Sequence, residues 1–272
     1  MKIWHQSMTD LSKLEHYRKN LVEHAAGVLN SEITVVPHGV PAGLYSYRAP
    51  VEALKYPYTE FLCERMVCEA VVAAEQDGFN AFTIGCYLDT GLQLARSLVD
   101  IPVLGITETS MLVACSLGKK FGIVTISSSM REHLSSSADE YELTGRVSSI
   151  LSVDPPINEY DMEGDPEREN LAERVFKEAC DKAIDDGADV IIPGEGVLNE
   201  FLFKKKITNH NGVPILDGNA ALWQFAVLLA NLQRASNLTV GRRSAYARPP
   251  KGLLDDLQRI YQLYNLSSSD FS

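Results

Sequence analysis

Asp77-Gly78-Phe79-Asn80-Ala81-Phe82-Thr83-Ile84-Gly85-Cys86 and Asp186-Gly187-Ala188-Asp189-Val190-Ile191-Ile192-Pro193-Gly194-Glu195 are two versions of one phrase. Each joins a helix-stopping Asp-Gly to a short apolar run closed by glycine, the pattern of a helix returning into a buried strand. The offset is 109 residues at Asp77/Asp186, Gly78/Gly187, Gly85/Gly194 and Cys86/Glu195. A second echo, Ile101-Pro102-Val103-Leu104 against Val213-Pro214-Ile215-Leu216, comes at 112, so the second copy holds three extra residues in its loop. Repetition of this kind predicts a duplicated half. A pseudo-two-fold axis between the halves places equivalent strand ends on opposite sides of one cleft. Here those ends carry a thiol and a carboxyl.

Outward from these phrases, short β-branched runs alternate with helical periodicity. Strands are predicted at 2–5, 33–37, 81–85, 103–106, 121–126, 147–153, 190–193 and 213–216. The first helix carries the stripe Leu14, Tyr17, Leu21, Ala25 and Val28, with Thr9 and Asp10 as N-cap oxygens. Further helices are predicted at 59–76, 88–98, 129–143, 167–185, 197–207, 220–234 and 253–263. Ser135 to Ser137 read as a loop or helix irregularity. The order implies an α/β protein of two pseudo-symmetric domains, each a parallel sheet flanked by helices, with the site in the cleft between them. The first half is assigned 1–112 plus about 219–265, the second 113–218, and 266–272 a tail.

Composition narrows the partners. The 272 residues carry a formal charge of -11, which argues against nucleic acid and anionic membrane but not against a small anionic substrate held by backbone N–H groups. No apolar run reaches the length of a membrane span, and the N-terminal residues lack a signal-peptide core. Five cysteines without C-x-x-C spacing fit neither a disulfide framework nor a structural zinc site, and a reducing cytoplasm is the expected setting. The six histidines show no metal spacing. His16 and His24 read as lying on a polar helix face, and His5 is singled out because it ends the first strand.

Ligands of open α/β sheets bind beyond the carboxyl ends of the strands. Gln6 and Ser7, Cys86 and Tyr87, Thr125 to Ser129, and Glu195 all follow strands directly. Cys86 precedes a helix for which Asp89 is the expected N-cap, so exposed N–H groups should favour its thiolate. Cys63, Cys68, Cys115 and Cys180 read as space-filling thiols. For Glu195 two readings stand: a solvated carboxylate capping the next helix, or a cleft acid between two glycines. Gly194-Glu195-Gly196 lacks the third glycine of a dinucleotide fingerprint. The 38–58 loop, with Tyr45, Tyr47, Arg48 and Tyr56, reads equally as a cover for an aromatic or anionic group and as an oligomer contact.

At Gly85-Cys86-Tyr87-Leu88-Asp89-Thr90-Gly91-Leu92 the chain resembles the aspartate/glutamate/hydantoin racemase superfamily, most of all its hydantoin and allantoin branch. Asp100-Ile101-Pro102-Val103-Leu104-Gly105-Ile106-Thr107-Glu108 and Gly122-Ile123-Val124-Thr125 resemble the same branch. The resemblance implies two pseudo-symmetric α/β domains and chemistry without metal or cofactor. It implies a proton-transfer role for Cys86, and substrate contacts from Ser7, Thr125, Ser127 and the backbone at Tyr87 and Gly196. The chain departs from the family in two places. His5-Gln6-Ser7-Met8 stands where an Asn-Pro-Asn-Thr motif is common, and Glu195 stands at the second of the two usual cysteines. Expected, then, is a racemase or isomerase acting on a small amino-acid derivative, cyclic ureide or carboxylate, as a homo-oligomer. The alternatives are a lyase, decarboxylase or hydrolase using Cys86 as nucleophile or acid and Glu195 as base, and a non-catalytic binding relative.

Overall fold

Strand β1 (Lys2–Gln6) lies inside a four-stranded parallel sheet, flanked by β2 (Thr34–His38) and β3 (Ala81–Ile84), with β4 (Val103–Gly105) outside β3. This computed structural model describes residues 1–46, 48–162 and 164–263; Tyr47 and the expected tail at 266–272 lie outside the described residues. In the second sheet β5 (Phe121–Thr125) is central, between β6 (Val147–Ser152) and β7 (Val190–Pro193). Every residue of β3, β5 and β7 is buried, as expected of strands covered by helices on both faces. The two sheets repeat one order, β2-β1-β3-β4 against β6-β5-β7 plus a parallel bridge from Ile191 to Ile215. The strand expected at 213–216 is therefore reduced: Val213–Pro214 (β9) turns back antiparallel on Asn209–His210 (β8), and Ile215 makes the bridge.

The crossovers supply the helices. They are α1 (Glu15–Val28), α2 (Pro50–Leu54), α3 (Pro57–Gln76), α4 (Leu92–Leu98), α5 (Ile106–Leu117), α6 (Ser128–Glu140), α7 (Pro166–Asp185), α8 (Gly196–Lys205), α9 (Gly218–Ser236) and α10 (Lys251–Leu263). Helix α5 was not expected, and the division drawn between 112 and 113 falls inside it. It packs against α9, and their first residues, Ile106 and Gly218, keep the 112 offset of the second echo. Helix α9 also packs on β3 and β4, and beyond it Tyr246 Oη donates to Gln93 Oε1 at 2.7 Å. Ser135 to Ser137 sit within regular α6, where Ser136 and Ser137 hydroxyls bond the carbonyls of Glu132 and His133.

Helix α1 starts later than predicted, without a side-chain cap. Asp10 serves the loop instead, accepting from the Ser12 N–H at 3.1 Å and the Gly43 N–H at 2.8 Å. His24 is also misplaced by a polar-face reading. It lies three residues past Leu21 and seven past Tyr17, hence on the apolar stripe, and is fully buried. Its Nδ1 is 2.8 Å from Glu200 Oε1 and its Nε2 2.8 Å from Asp217 Oδ2, and the ring stacks on Phe203. Burial alone would lower its pKa, but the bonds to Asp217 and Glu200 outweigh that and raise it to about 9.

The protonated ring therefore stabilises the fold fully below the ordinary histidine value near 6.5, and this is lost as pH rises from there through about 9. A shift of this size corresponds to roughly 3 kcal/mol. His24→Gln should lower the urea midpoint most at pH 6, with the gap to the native protein narrowing by pH 9.5. A gap constant across that range would remove the charged ring from the account.

Candidate active site

The strand-end glycines bring the two halves together. Gly85 N–H donates to Gln6 O at 2.8 Å, and Gly194 N–H to Val124 O at 2.8 Å, so each strand stays in register to its last residue before Cys86 or Glu195. A Cβ at Gly85 would stand 2.3 Å from His5 Cε1, and one at Gly196 would stand 2.6 Å from the Gly85 carbonyl oxygen. Backbones of the two halves thus approach directly beside the site, which only glycine permits. Cys86 and Glu195 line a single cavity, together with Ser7, Tyr17, Met130 and Glu159. Its volume is about 20 Å³, and Pro50, Val51 and Leu54 of α2 border it. This is how the 38–58 loop reaches the site. Tyr45 is instead buried with its hydroxyl 3.8 Å from Cys63 Sγ, and Tyr56 is exposed.

The environment of Cys86 overturns the thiolate expectation. Burial pushes the thiol far above its ordinary range, and the charges of Glu195 and Asp89 push it further; bonds from Leu88 N–H and Thr90 oppose this only in part. Helix α4 does not compensate, because it begins at Leu92, behind a turn in which Asp89 and Gly91 have φ of 47° and 71°. Asp89 caps a different helix: its carboxylate accepts from Thr107 N–H at 3.0 Å and Glu108 N–H at 2.9 Å at the start of α5, and from Tyr141 Oη at 2.8 Å. Burial raises Asp89 to about 6 despite those bonds.

Glu195 combines both of its readings. Oε2 caps α8, accepting from Val197 N–H at 2.5 Å and Leu198 N–H at 3.0 Å, yet the side chain is only partly exposed and lines the cavity. Burial raises its pKa, outweighing the backbone bonds.

The other candidates divide. Ser7 lines the cavity, hydrogen-bonded to Tyr17, whose phenol burial raises well above its ordinary value, with Glu195 adding to the effect. Tyr87 borders the cavity, but its hydroxyl points to Ser110 Oγ, 3.3 Å away. Gln6 is turned aside, its amide donating to Ser7 O and Gly39 O and its Oε1 accepting from Trp4 Nε1. Thr125 Oγ1 donates to Gly194 O at 3.3 Å and Ser127 Oγ pairs with Ser129 Oγ at 2.9 Å, while Gly196 abuts Gly85, so none of these three is in the cavity wall. His5 is fully buried, its Nδ1 3.2 Å from Thr83 Oγ1 and 3.1 Å from the Trp223 Nε1–H, and burial lowers its pKa to about 3. Among the described residues no three His, Cys, Asp or Glu side chains converge as a metal site.

Glu159 and Tyr17 were not singled out from sequence. Glu159 opens a short 3₁₀ turn (Glu159–Met162) after β6, which the strand-end rule could have flagged. Tyr17 was placed in the α1 core stripe, and its ring is indeed buried; its hydroxyl reaches the cavity.

A family model described as Asp/Glu/Hydantoin racemase matches residues 15–226. The hydantoin racemase of Pseudomonas sp. (strain NS671) is 31% identical over 220 residues, covering 79% of this chain and 82% of the relative. Among solved structures, allantoin racemases from Klebsiella pneumoniae and Pseudomonas fluorescens superpose with a TM-score of 0.74 each. They are 21% and 23% identical, covering 92% of this chain and 94% and 98% of theirs, which establishes a shared fold. Sequence and fold agree from α1 into α9, through both strand ends that carry the cavity, and on that ground the chain belongs to the Asp/Glu/hydantoin racemase family.

Proposed function

We propose that this protein is a cofactor-independent racemase that removes a proton from the Cα of a small carbonyl compound with Glu195 and returns one to the opposite face from Cys86. The observation that carries it is that these two groups, at equivalent strand ends of two halves, open onto one cavity. A partly buried carboxyl with a raised pKa suits a base, and a thiol held protonated by burial suits an acid. Relatives named hydantoin and allantoin racemases point to a cyclic amide or ureide. Among the described residues the lining holds no Lys, Arg or His, which favours such an uncharged ring over a free carboxylate.

The pair is asymmetric, and this has an energetic consequence. Two enantiomers have equal free energy, so a turnover starting from thiol and carboxylate ends at thiolate and carboxylic acid. At ordinary pKa values that is uphill by roughly 6 kcal/mol. Burial of Glu195 narrows the gap, and burial of Cys86 widens it. The raised thiol therefore favours, as a second reading, a directional reaction such as decarboxylation or hydrolysis. Incubating single enantiomers of 5-substituted hydantoins in D₂O separates the readings. Loss of optical rotation with one deuterium entering Cα per inversion is expected. A product of new mass without exchange supports the second reading, and neither outcome across the series would contradict both.

A further inference from the structure

Glu159 faces the same cavity and has no part in the two-residue scheme. Its side chain is 2% exposed. Oε1 accepts a hydrogen bond from the Val51 N–H at 2.9 Å, whereas Oε2 is buried with no partner. An N–H can only donate, so Oε1 is the carbonyl-type oxygen and any proton belongs on Oε2. Two backbone N–H groups, its own and that of Val51, favour ionisation, but the side chains around it do not. Glu195 lies across the cavity, Glu52 is on α2, Tyr45 and Tyr160 flank it, Cys86 is a thiol, and among the described residues the lining holds no Lys, Arg or His. An ionised Oε2 there would be a desolvated charge beside a second carboxylate, which protonation relieves. Burial first, and Glu195 second, raise its pKa to about 8. A carboxylic acid kept neutral by its surroundings is a strong hydrogen-bond donor.

We propose that Glu159 is a third catalytic group, whose Oε2–H donates to the substrate carbonyl oxygen that becomes negative when the α-proton is removed. This rests on the Cα proton-transfer reading above. In the step, Glu195 takes the proton and the C–H electron pair forms the Cα–C double bond. The carbonyl π pair moves to oxygen, where it meets the Glu159 hydroxyl. Reprotonation at Cα from Cys86 reverses the shift, and the proton of Glu159 stays on Oε2 throughout. The Val51 bond holds the donor in position and ties it to α2, the segment bordering the cavity.

Glutamine at this position keeps an acceptor for Val51 and an N–H donor in place of Oε2, while leucine removes the donor. Glu159→Leu should lower kcat about 10²- to 10³-fold with little change in KM, the loss typical of a donor to a developing oxyanion. Glu159→Gln should stay within about 10-fold of the native rate and lack the fall in activity expected of the native protein above pH about 8. A Gln variant as inactive as the Leu variant, or one that keeps the alkaline fall, would overturn the donor role, and its circular dichroism melt shows whether it has folded. Deuterium exchange by the native protein keeps the tests apart: its failure removes the underlying reaction, whereas exchange with an inactive Gln variant removes only Glu159.

Discussion

The Glu195→Cys variant is expected to racemise hydantoin-type substrates about 10- to 10³-fold faster than the native protein, as the mismatch in acidity between the two groups is removed. In the native pair, inversion leaves a thiolate that its surroundings disfavour and a carboxylic acid, and helix α4 begins too late to stabilise that thiolate. Two thiols at equivalent strand ends make the states before and after inversion nearly equal. The substitution also removes the Oε2 cap from Val197 and Leu198, at a cost of about 1 kcal/mol. Chiral chromatography at matched folded-protein concentration measures the rate. An unchanged or lower rate in a folded variant would mean that the acidity mismatch does not limit turnover.

Cys86→Ala should reduce racemisation about 10²- to 10⁴-fold, the usual contribution of a positioned acid or base. The stability cost should be modest, because Cys86 is partly exposed at a strand end and its hydroxyl neighbour Thr90 is 4.0 Å away. Cys68→Ala supplies the comparison: that thiol lies on α3, outside the cavity lining, and its loss should leave turnover unchanged. Near-native racemisation by Cys86→Ala would remove the thiol from the mechanism.

The repeated Asp-Gly phrases carried the architecture because buried parallel strands are local features, short apolar runs closed by glycine. They located both cavity groups for the same reason. Helix α5 escaped notice because it is buried on more than one side. Thr107, Thr109 and Ser110 are as enclosed as Ile106 and Met111, so no apolar stripe stands against a polar face. Asp89 was given to the wrong helix because its partners lie 18 and 19 residues on, and only the fold brings them together. The direction of the Cys86 shift followed from that error. Glu159 sits in a turn without periodicity, and its burial depends on α2, about a hundred residues earlier in the chain. His24 was legible in principle from its spacing to Tyr17 and Leu21, but ionic neighbours outweighed the stripe.

The central claim, that Cys86 and Glu195 act on opposite faces of one carbon, is tested by Cα exchange in D₂O with each enantiomer separately. Cys86→Ala should exchange the enantiomer whose proton faces Glu195, with retention of configuration. Glu195→Gln should exchange only the opposite enantiomer, and more slowly, because burial keeps the Cys86 thiol protonated. Exchange of the same enantiomer by both variants would contradict the claim.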